Sequence, residues 1–454
     1  MHVFVLRLIL FLICLIGCDH PNSTGPAVSD NDKCRRANRW QVGRPGQWSK
    51  LRKPRIDLEL DAEIQNKIGP LQNIGYVAGS REPETDEIIT IHLKEKVYSG
   101  LNFYNSAHAP EAMLMDMDGK ELHRWRFELK AAWPDQRDIE IPSDSKDYWR
   151  RAYLYENGDL LAIFEGTGLL KLDKNSQLMW ATLNGAHHDL DVMDNGDIFV
   201  LTRQEHVIPR IHSQKPVVED FVVVLDKDGH EKTRISVLEC FENSYPNAAQ
   251  ILPQLLQDQD GDIFHTNTVE VLDGKAEHFS PAFKAGNILL AIRHLDLLAI
   301  LDPVKKKFVW NLQTPQRPPD RNDGTPSLFF RLQHDPQILD GGQMLLFDNC
   351  GLHDQSTIWE FHPISREVFW YYRGTRHRPF YTSHCGTVQR LPNGNTLITE
   401  SEFGRVFEVT PQKEIVWEYY NPERAGDSGQ FIAMLPEMIR LPADFPVHWA
   451  QDKE

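Results

Sequence analysis

Apolar residues recur along this chain in short runs broken by Gly, Asn, Asp or Pro, never in the long i, i+3, i+4 stripe of an amphipathic helix. One stretch sets the grammar. Val388-Gln389-Arg390-Leu391-Pro392-Asn393-Gly394-Asn395-Thr396-Leu397-Ile398-Thr399 is two strands around an Asn-Gly hairpin turn, followed by Arg405-Val406-Phe407-Glu408-Val409 and closed by Glu414-Ile415-Val416-Trp417. The turn recurs as Asp194-Asn195-Gly196-Asp197, as Asn157-Gly158-Asp159 and, altered, as Gly341-Gly342. A strand ending in Asp recurs at Met113 to Asp116, Leu170 to Asp173, Val223 to Asp226 and Ala299 to Asp302. Tryptophans close the copies at Trp125, Trp180, Trp310, Trp370 and Trp417, with Ile235 where a sixth would stand.

Repeats of this length, each supplying three or four strands, are propeller blades, since a lone blade cannot bury both faces and a closed ring buries all of them. Six units fall between about Glu111 and Tyr420, which predicts an all-β chain forming a single six-bladed β-propeller over residues 90–440. The flanks differ in character. Arg7 and the apolar run Leu8 to Ile16, ending at Gly17-Cys18, read as a signal peptide (1–17) with a lipobox-like end. Cys18 is then the lipidation site, residues 18–89 a polar tether and lead-in, and 441–454 a C-terminal tail. The expected location is outside the cytoplasm, anchored to a membrane through lipid and facing the periplasm or cell exterior. Export leaves Cys34, Cys240, Cys350 and Cys385 free to form up to two disulfides, and Cys350 and Cys385 follow the first strands of neighbouring repeats, a placement that suggests a bridge.

Composition narrows the partners. With 49 Lys+Arg against 65 Asp+Glu the formal charge is −16, so nucleic acid is not an expected partner. Asp258-Gln259-Asp260-Gly261-Asp262 resembles the start of a calcium loop but has Val269 where the twelfth-position Glu belongs, and it reads as a turn.

Histidines carry the candidate chemistry. His187-His188-Asp189, His265-Thr266-Asn267-Thr268, Gln333-His334-Asp335 and Ser383-His384-Cys385 each stand just before the first strand of a repeat. Equivalent positions in successive blades point at one place on the propeller axis, so these imidazoles are expected to converge. Arg293 ends the apolar strand Asn287 to Ile292, and a guanidinium among imidazoles suits a tetrahedral oxyanion. Two other functions fit converging histidines. One is a copper or zinc centre, disfavoured by a cation in the same place; the other is a membrane-tethered binding propeller whose histidines only close the channel.

The ordered series His187-His188-Asp189, Phe264-His265-Thr266-Asn267-Thr268-Val269, Leu290-Ala291-Ile292-Arg293, Gln333-His334-Asp335 with Leu346-Phe347-Asp348-Asn349, and Arg390 to Ser401 resembles the signature segments of the bacterial arylsulfotransferase family. Tyr104-Asn105-Ser106-Ala107-His108-Ala109-Pro110-Glu111-Ala112 resembles the lead-in to its propeller. The resemblance implies transfer of a sulfuryl group from an aryl sulfate to a phenolic acceptor, with no nucleotide donor and no cofactor, through a transiently sulfated histidine. By motif order the nucleophile falls on His334, supported by His188, His265 and Arg293, with Asn267 and His384 placed at the substrate. Protonation of the departing phenolate is open between His188 and His265. Periplasmic members of the family dimerise through a sizeable N-terminal β-sandwich, and with the short stretch between Cys18 and the propeller lead-in dimerisation by that route is not expected, which leaves the oligomeric state open.

Overall fold

The computed structural model describes residues 78–134, 147–259, 261–315, 326–351, 355–375, 377–426 and 428–450. The signal peptide, Cys18 and most of the tether lie outside the described residues. Among those described, no helix is long and apolar enough to cross a membrane.

Six antiparallel sheets surround one axis. Blade two (149–154, 160–164, 168–172, 178–182), blade three (186–192, 198–207, 216–225, 231–236), blade four (266–271, 288–292, 297–302, 307–313) and blade five (334–338, 344–348, 357–361, 368–373) are each four consecutive strands, the first innermost. The ring is closed twice. Blade one takes three strands (100–105, 111–115, 121–126) and receives Glu437–Pro442 from the other end of the domain as its innermost strand, in register from Gly100 opposite Pro442 to Asn105 opposite Glu437. Blade six (387–390, 396–400, 405–409, 415–420) gains Ile89–His92 as a fifth, outermost strand. Both closures join the first and last blades, so opening the ring requires breaking a strand ladder.

The large apolar clusters lie between neighbouring blades, not at the axis. Leu161, Ile163 and Leu169 of blade two pack on Leu190, Ile198 and Val223 of blade three, and Val388 and Ile398 of blade six pack on Leu345 and Phe347 of blade five. The tryptophan repeat has a second use beyond burial. On outer strands, indole N–H groups donate across the blade boundary to a carbonyl in the next blade's turns: Trp125 to Gly158 (3.0 Å), Trp180 to Lys227 (3.2 Å), Trp370 to Pro411 (2.9 Å) and Trp417 to Met117 (3.0 Å). The last of these links blade six to blade one. Trp417→Phe keeps most of the buried ring but leaves the Met117 carbonyl without its donor. It is expected to destabilise the protein by about 1–2 kcal/mol, read as a lower denaturant midpoint.

Innermost strands expose a row of backbone groups to the channel, and unpaired edge N–H groups are costly when buried. Side chains of the preceding blade satisfy them. Asp189 accepts from the Val269 N–H (2.9 Å), Asp191 from Val271 (2.8 Å), Asp335 from Val388 (2.7 Å) and Gln389 from Arg440 (2.7 Å). The aspartates beside His188 and His334 therefore hold strands together and do not orient the imidazoles.

Two of the cysteines expected to be available for bridging are free. Cys240 and Cys385 are free buried thiols, while Cys350 is disulfide-bonded, so the Cys350–Cys385 bridge suggested by their spacing is absent. Cys385 is taken up in the apolar cluster with Ala107, Tyr148 and Met434.

Candidate functional site

At the entrance to the inner strands the ladders are irregular. Register slips between Trp149 and Arg151 in blade two, opposite Val200 to Thr202 in blade three, between Thr266 and Thr268 in blade four, and between His334 and Gln337 in blade five. Such bulges turn a side chain away from the alternation of a regular strand. Non-glycine residues in the left-handed region stand at or beside the bulges of blades three, four and five, namely His188 (φ 55°), His265 (φ 50°) and Asp335 (φ 50°), and Cys385 (φ 57°) takes the same conformation before the regular inner strand of blade six. Each such conformation costs on the order of 1 kcal/mol and persists where the surroundings over-determine it. Expecting the four histidines at one phase needs correcting here. His188 and His265 occupy the left-handed position, whereas His334 and His384 precede it and Asp335 and Cys385 take it instead.

The bulges nonetheless direct the imidazoles inward. His188 and His265 meet edge to face with ring centroids 4.8 Å apart, and His187 lies 5.1 Å from His188 on the other side. Arg293 follows its strand in a 3-10 turn, 9% exposed, and reaches the Ser383 carbonyl of blade six with a single long hydrogen bond of 3.4 Å. Its Nε has no partner among the described residues. Asn267, the extra residue of its bulge, donates its amide to the Gln333 carbonyl (2.8 Å) and so holds the residue before His334. His384 Nδ1 pairs with the Ser383 hydroxyl (2.8 Å) near Glu402.

The state of His334 follows from its neighbours. Asn349 donates its amide N–H groups to the carbonyls of Cys385 (2.7 Å) and Thr382 (3.0 Å), which fixes its oxygen toward His334 Nδ1 at 2.7 Å. An oxygen there requires the proton on Nδ1, with the Leu332 carbonyl (3.1 Å) as a second acceptor. In the neutral ring Nε2 then carries a lone pair. It is buried and has no hydrogen-bond partner among the described residues. Burial, then the charges of Arg293 and Arg150, hold the His334 pKa well below the ordinary imidazole value, so the ring is neutral.

The other imidazoles stand beside carboxylates. His188 Nδ1 is 2.8 Å from His187 Nδ1 and 3.6 Å from Glu165 Oε1, whose charge is shared with Arg203 at 3.4 Å. Burial, then the charges of His265 and Arg150, also push His188 well down. His265 Nδ1 meets Asp262 Oδ2 at 2.5 Å, and the Asp262 carbonyl accepts from His294 Nδ1 at 2.6 Å.

Glu165, His187 and His188, and separately Asp262, His265 and His294, each bring three potential donor atoms within 4.8 Å of one another. In both sets the carboxylate already serves an imidazole, and the guanidinium of Arg203 acts on both carboxylates. Two further arginines flank His334. That balance favours an anion over a metal cation.

Four site residues escaped the sequence reading. Arg150, buried at 4% exposure, is the bulged residue of blade two, and its charge depresses His188, His334 and His384 alike. It stands near the start of its strand, between Trp149 and Arg151, where it lacks the apolar run that singled out Arg293. Asn349 lay inside a quoted motif with no role attached. Asp262 was read as a turn residue, and Glu165 left no local trace.

Solved structures align with this chain at low identity. A protein of unknown function from Bacteroides caccae aligns at 10% identity and TM-score 0.44, covering 75% of this chain and 98% of that one. Apo AztD from Citrobacter koseri aligns at 12% identity and TM-score 0.38 (77% and 100% covered), and virginiamycin B lyase from Staphylococcus aureus at 10% and 0.37 (75% and 86%). None of the curated proteins compared is significantly similar in sequence. The family described as Arylsulfotransferase (ASST) matches residues 151–422, a span from the inner strand of blade two to the end of blade six that contains every histidine of the site, and the chain belongs to that family.

Proposed function

We propose that this protein transfers a sulfuryl group from an aryl sulfate to a phenolic acceptor, with the group carried transiently on Nε2 of His334, and that it does so outside the cytoplasm, tethered through Cys18. The observation that carries the reading is the Nε2 lone pair of His334: the ring is held neutral by burial and by the charge of Arg293, its proton is fixed on Nδ1 by Asn349, and Nε2 is buried without a partner among the described residues. Attack of Nε2 on sulfur forms the N–S bond as the aryl O–S bond breaks, and the phenolate leaves with the electron pair. The acceptor phenol then reverses the sequence at the same sulfur. Arg293 and Arg150 supply fixed positive charge for the three sulfuryl oxygens, in a buried site where such charge acts strongly.

Incubation with p-nitrophenyl sulfate in the absence of acceptor is expected to release roughly one equivalent of p-nitrophenol in a burst, the mark of a covalent intermediate. The peptide containing His334 should then carry the added mass of SO₃. No burst and no sulfated peptide, with stoichiometric copper or zinc in elemental analysis, would replace this reading with the metal one.

A further inference from the structure

One step past the histidines the channel turns acidic. Asp189 follows His188 and Asp335 follows His334 on their inner strands, and Glu437, the first residue of the closing strand, brings a third carboxylate. Asp191 of blade three and Glu270 of blade four lie further along, while blade six offers the amide of Gln389. One guanidinium stands among them. Arg151 of blade two has Nε 3.0 Å from Asp189 Oδ1, Nη1 2.6 Å from Glu437 Oε1 and Nη2 4.0 Å from Asp335 Oδ1. A side chain that reaches blades three, five and one together lies on the axis.

The fold cannot dispense with these acids. Asp189 and Asp335 accept the N–H groups of Val269 and Val388, which the next inner strand would otherwise leave unpaired. Yet they sit close under a site built for an anion. The charge of Arg150, the residue before Arg151, acts on His188, on His334 and on Glu437 alike, so the site and the carboxylates are adjacent tiers of one channel within electrostatic reach of each other. Ionised carboxylates there repel a sulfate ester unless a cation offsets them.

We infer that Arg151 is a specificity-determining residue, which touches no substrate but neutralises the carboxylates of Asp189, Asp335 and Glu437 and so lets an anionic ester bind above an acidic channel; the assignment rests on the sulfuryl-transfer reading. The compensation is incomplete, because one guanidinium faces three carboxylates. Burial lifts Glu437 to about 7 and Asp335 to about 6 against the lowering pull of Arg151, and burial also raises Asp191 and Glu270. The Tyr153 phenol beside Asp191 is raised as well and stays neutral. Carboxylates with raised values take up protons as the pH falls through the neutral range, so the repulsion of an anion fades with acidification.

That pH dependence is a readout that loss of packing would not give. Inorganic sulfate binding by titration calorimetry, with KM for p-nitrophenyl sulfate beside it, is compared at about pH 8.5 and about pH 6 in wild type, Glu437→Gln and Arg151→Gln. Glu437→Gln keeps the shape of the protonated side chain. It is expected to bind sulfate about three- to tenfold more tightly than wild type at the higher pH, and equally at the lower, where Glu437 of the wild type already holds its proton. Arg151→Gln should bind about tenfold more weakly at the higher pH, with the gap narrowing on acidification. Glu437→Gln decides the matter if Arg151→Gln does not fold. Unchanged affinity in Glu437→Gln at the higher pH, or an Arg151→Gln loss equal at both, overturns the inference and leaves sulfuryl transfer intact; a wild type that neither binds sulfate nor cleaves the ester overturns both.

Discussion

His334→Asn is expected to abolish aryl sulfate cleavage and acceptor transfer together, by at least about 10⁴-fold, because removing a nucleophile removes the intermediate on which both half-reactions depend. The reason lies in the bonding of each ring. A nucleophile toward sulfur needs an uncommitted lone pair on a neutral nitrogen. Asn349, oriented by the Cys385 and Thr382 carbonyls, fixes the His334 proton on Nδ1, while burial and the charge of Arg293 keep the ring neutral. His188 Nδ1 stands 2.8 Å from His187 Nδ1 with the Glu165 carboxylate 3.6 Å away, and His265 Nδ1 is paired with Asp262. Asparagine approximates the near half of the imidazole and leaves the bulge backbone in place, so the thermal midpoint should scarcely change. Turnover persisting in His334→Asn, or a sulfated peptide from another blade, would sink the assignment.

Residues repeated in every blade were legible because their environment repeats. Tryptophan at the end of the fourth strand meets the next blade's turn at Trp125, Trp180, Trp370 and Trp417, so one local rule serves four times. The Asn-Gly turn is equally local: Gly158, Gly196 and Gly394 all lie near φ +87°, a conformation side chains resist. Even the histidines announced themselves by their place before an inner strand.

What the pattern hid was anything set by irregularity or by distance along the chain. Bulges add residues at the channel entrance, so His334 and His265 do not share a phase although they share a site. Asp262 serves His265 through a short, non-repeating approach to the strand, and Glu165 reaches His188 from the neighbouring blade. Ring closure by Glu437–Pro442 pairs residues more than 300 positions from their partners in blade one, and periodicity carries no record of such a pairing. Cysteine spacing misled for the same reason: Cys385 occupies the left-handed position that His188 and His265 fill in other blades, which buries its thiol among Ala107, Tyr148 and Met434 and away from any bridge.

Arg293→Ala should leave measurable turnover but reduce it by about a hundred- to a thousandfold, the usual cost of one lost oxyanion donor. Among the described residues Arg293 spends little of its capacity on the fold: one long hydrogen bond to Ser383, an Nε without a partner, and burial that keeps its charge unscreened. Its uncommitted donors are therefore available to the sulfuryl oxygens. A second consequence separates this from simple loss of packing. His334 is held neutral by burial first and by Arg293 next, so removing the guanidinium raises the His334 pKa part of the way back toward that of a free imidazole. Neutral His334 is the reactive form, and protonation on the acid side removes it. The acid limb of the kcat/KM profile should accordingly move to higher pH in Arg293→Ala and stay near its wild-type position in Arg293→Lys, which keeps the charge while losing the planar fork. An acid limb that does not move in Arg293→Ala would mean that the guanidinium is too distant to act on His334, and the anion-holding role would pass to Arg150.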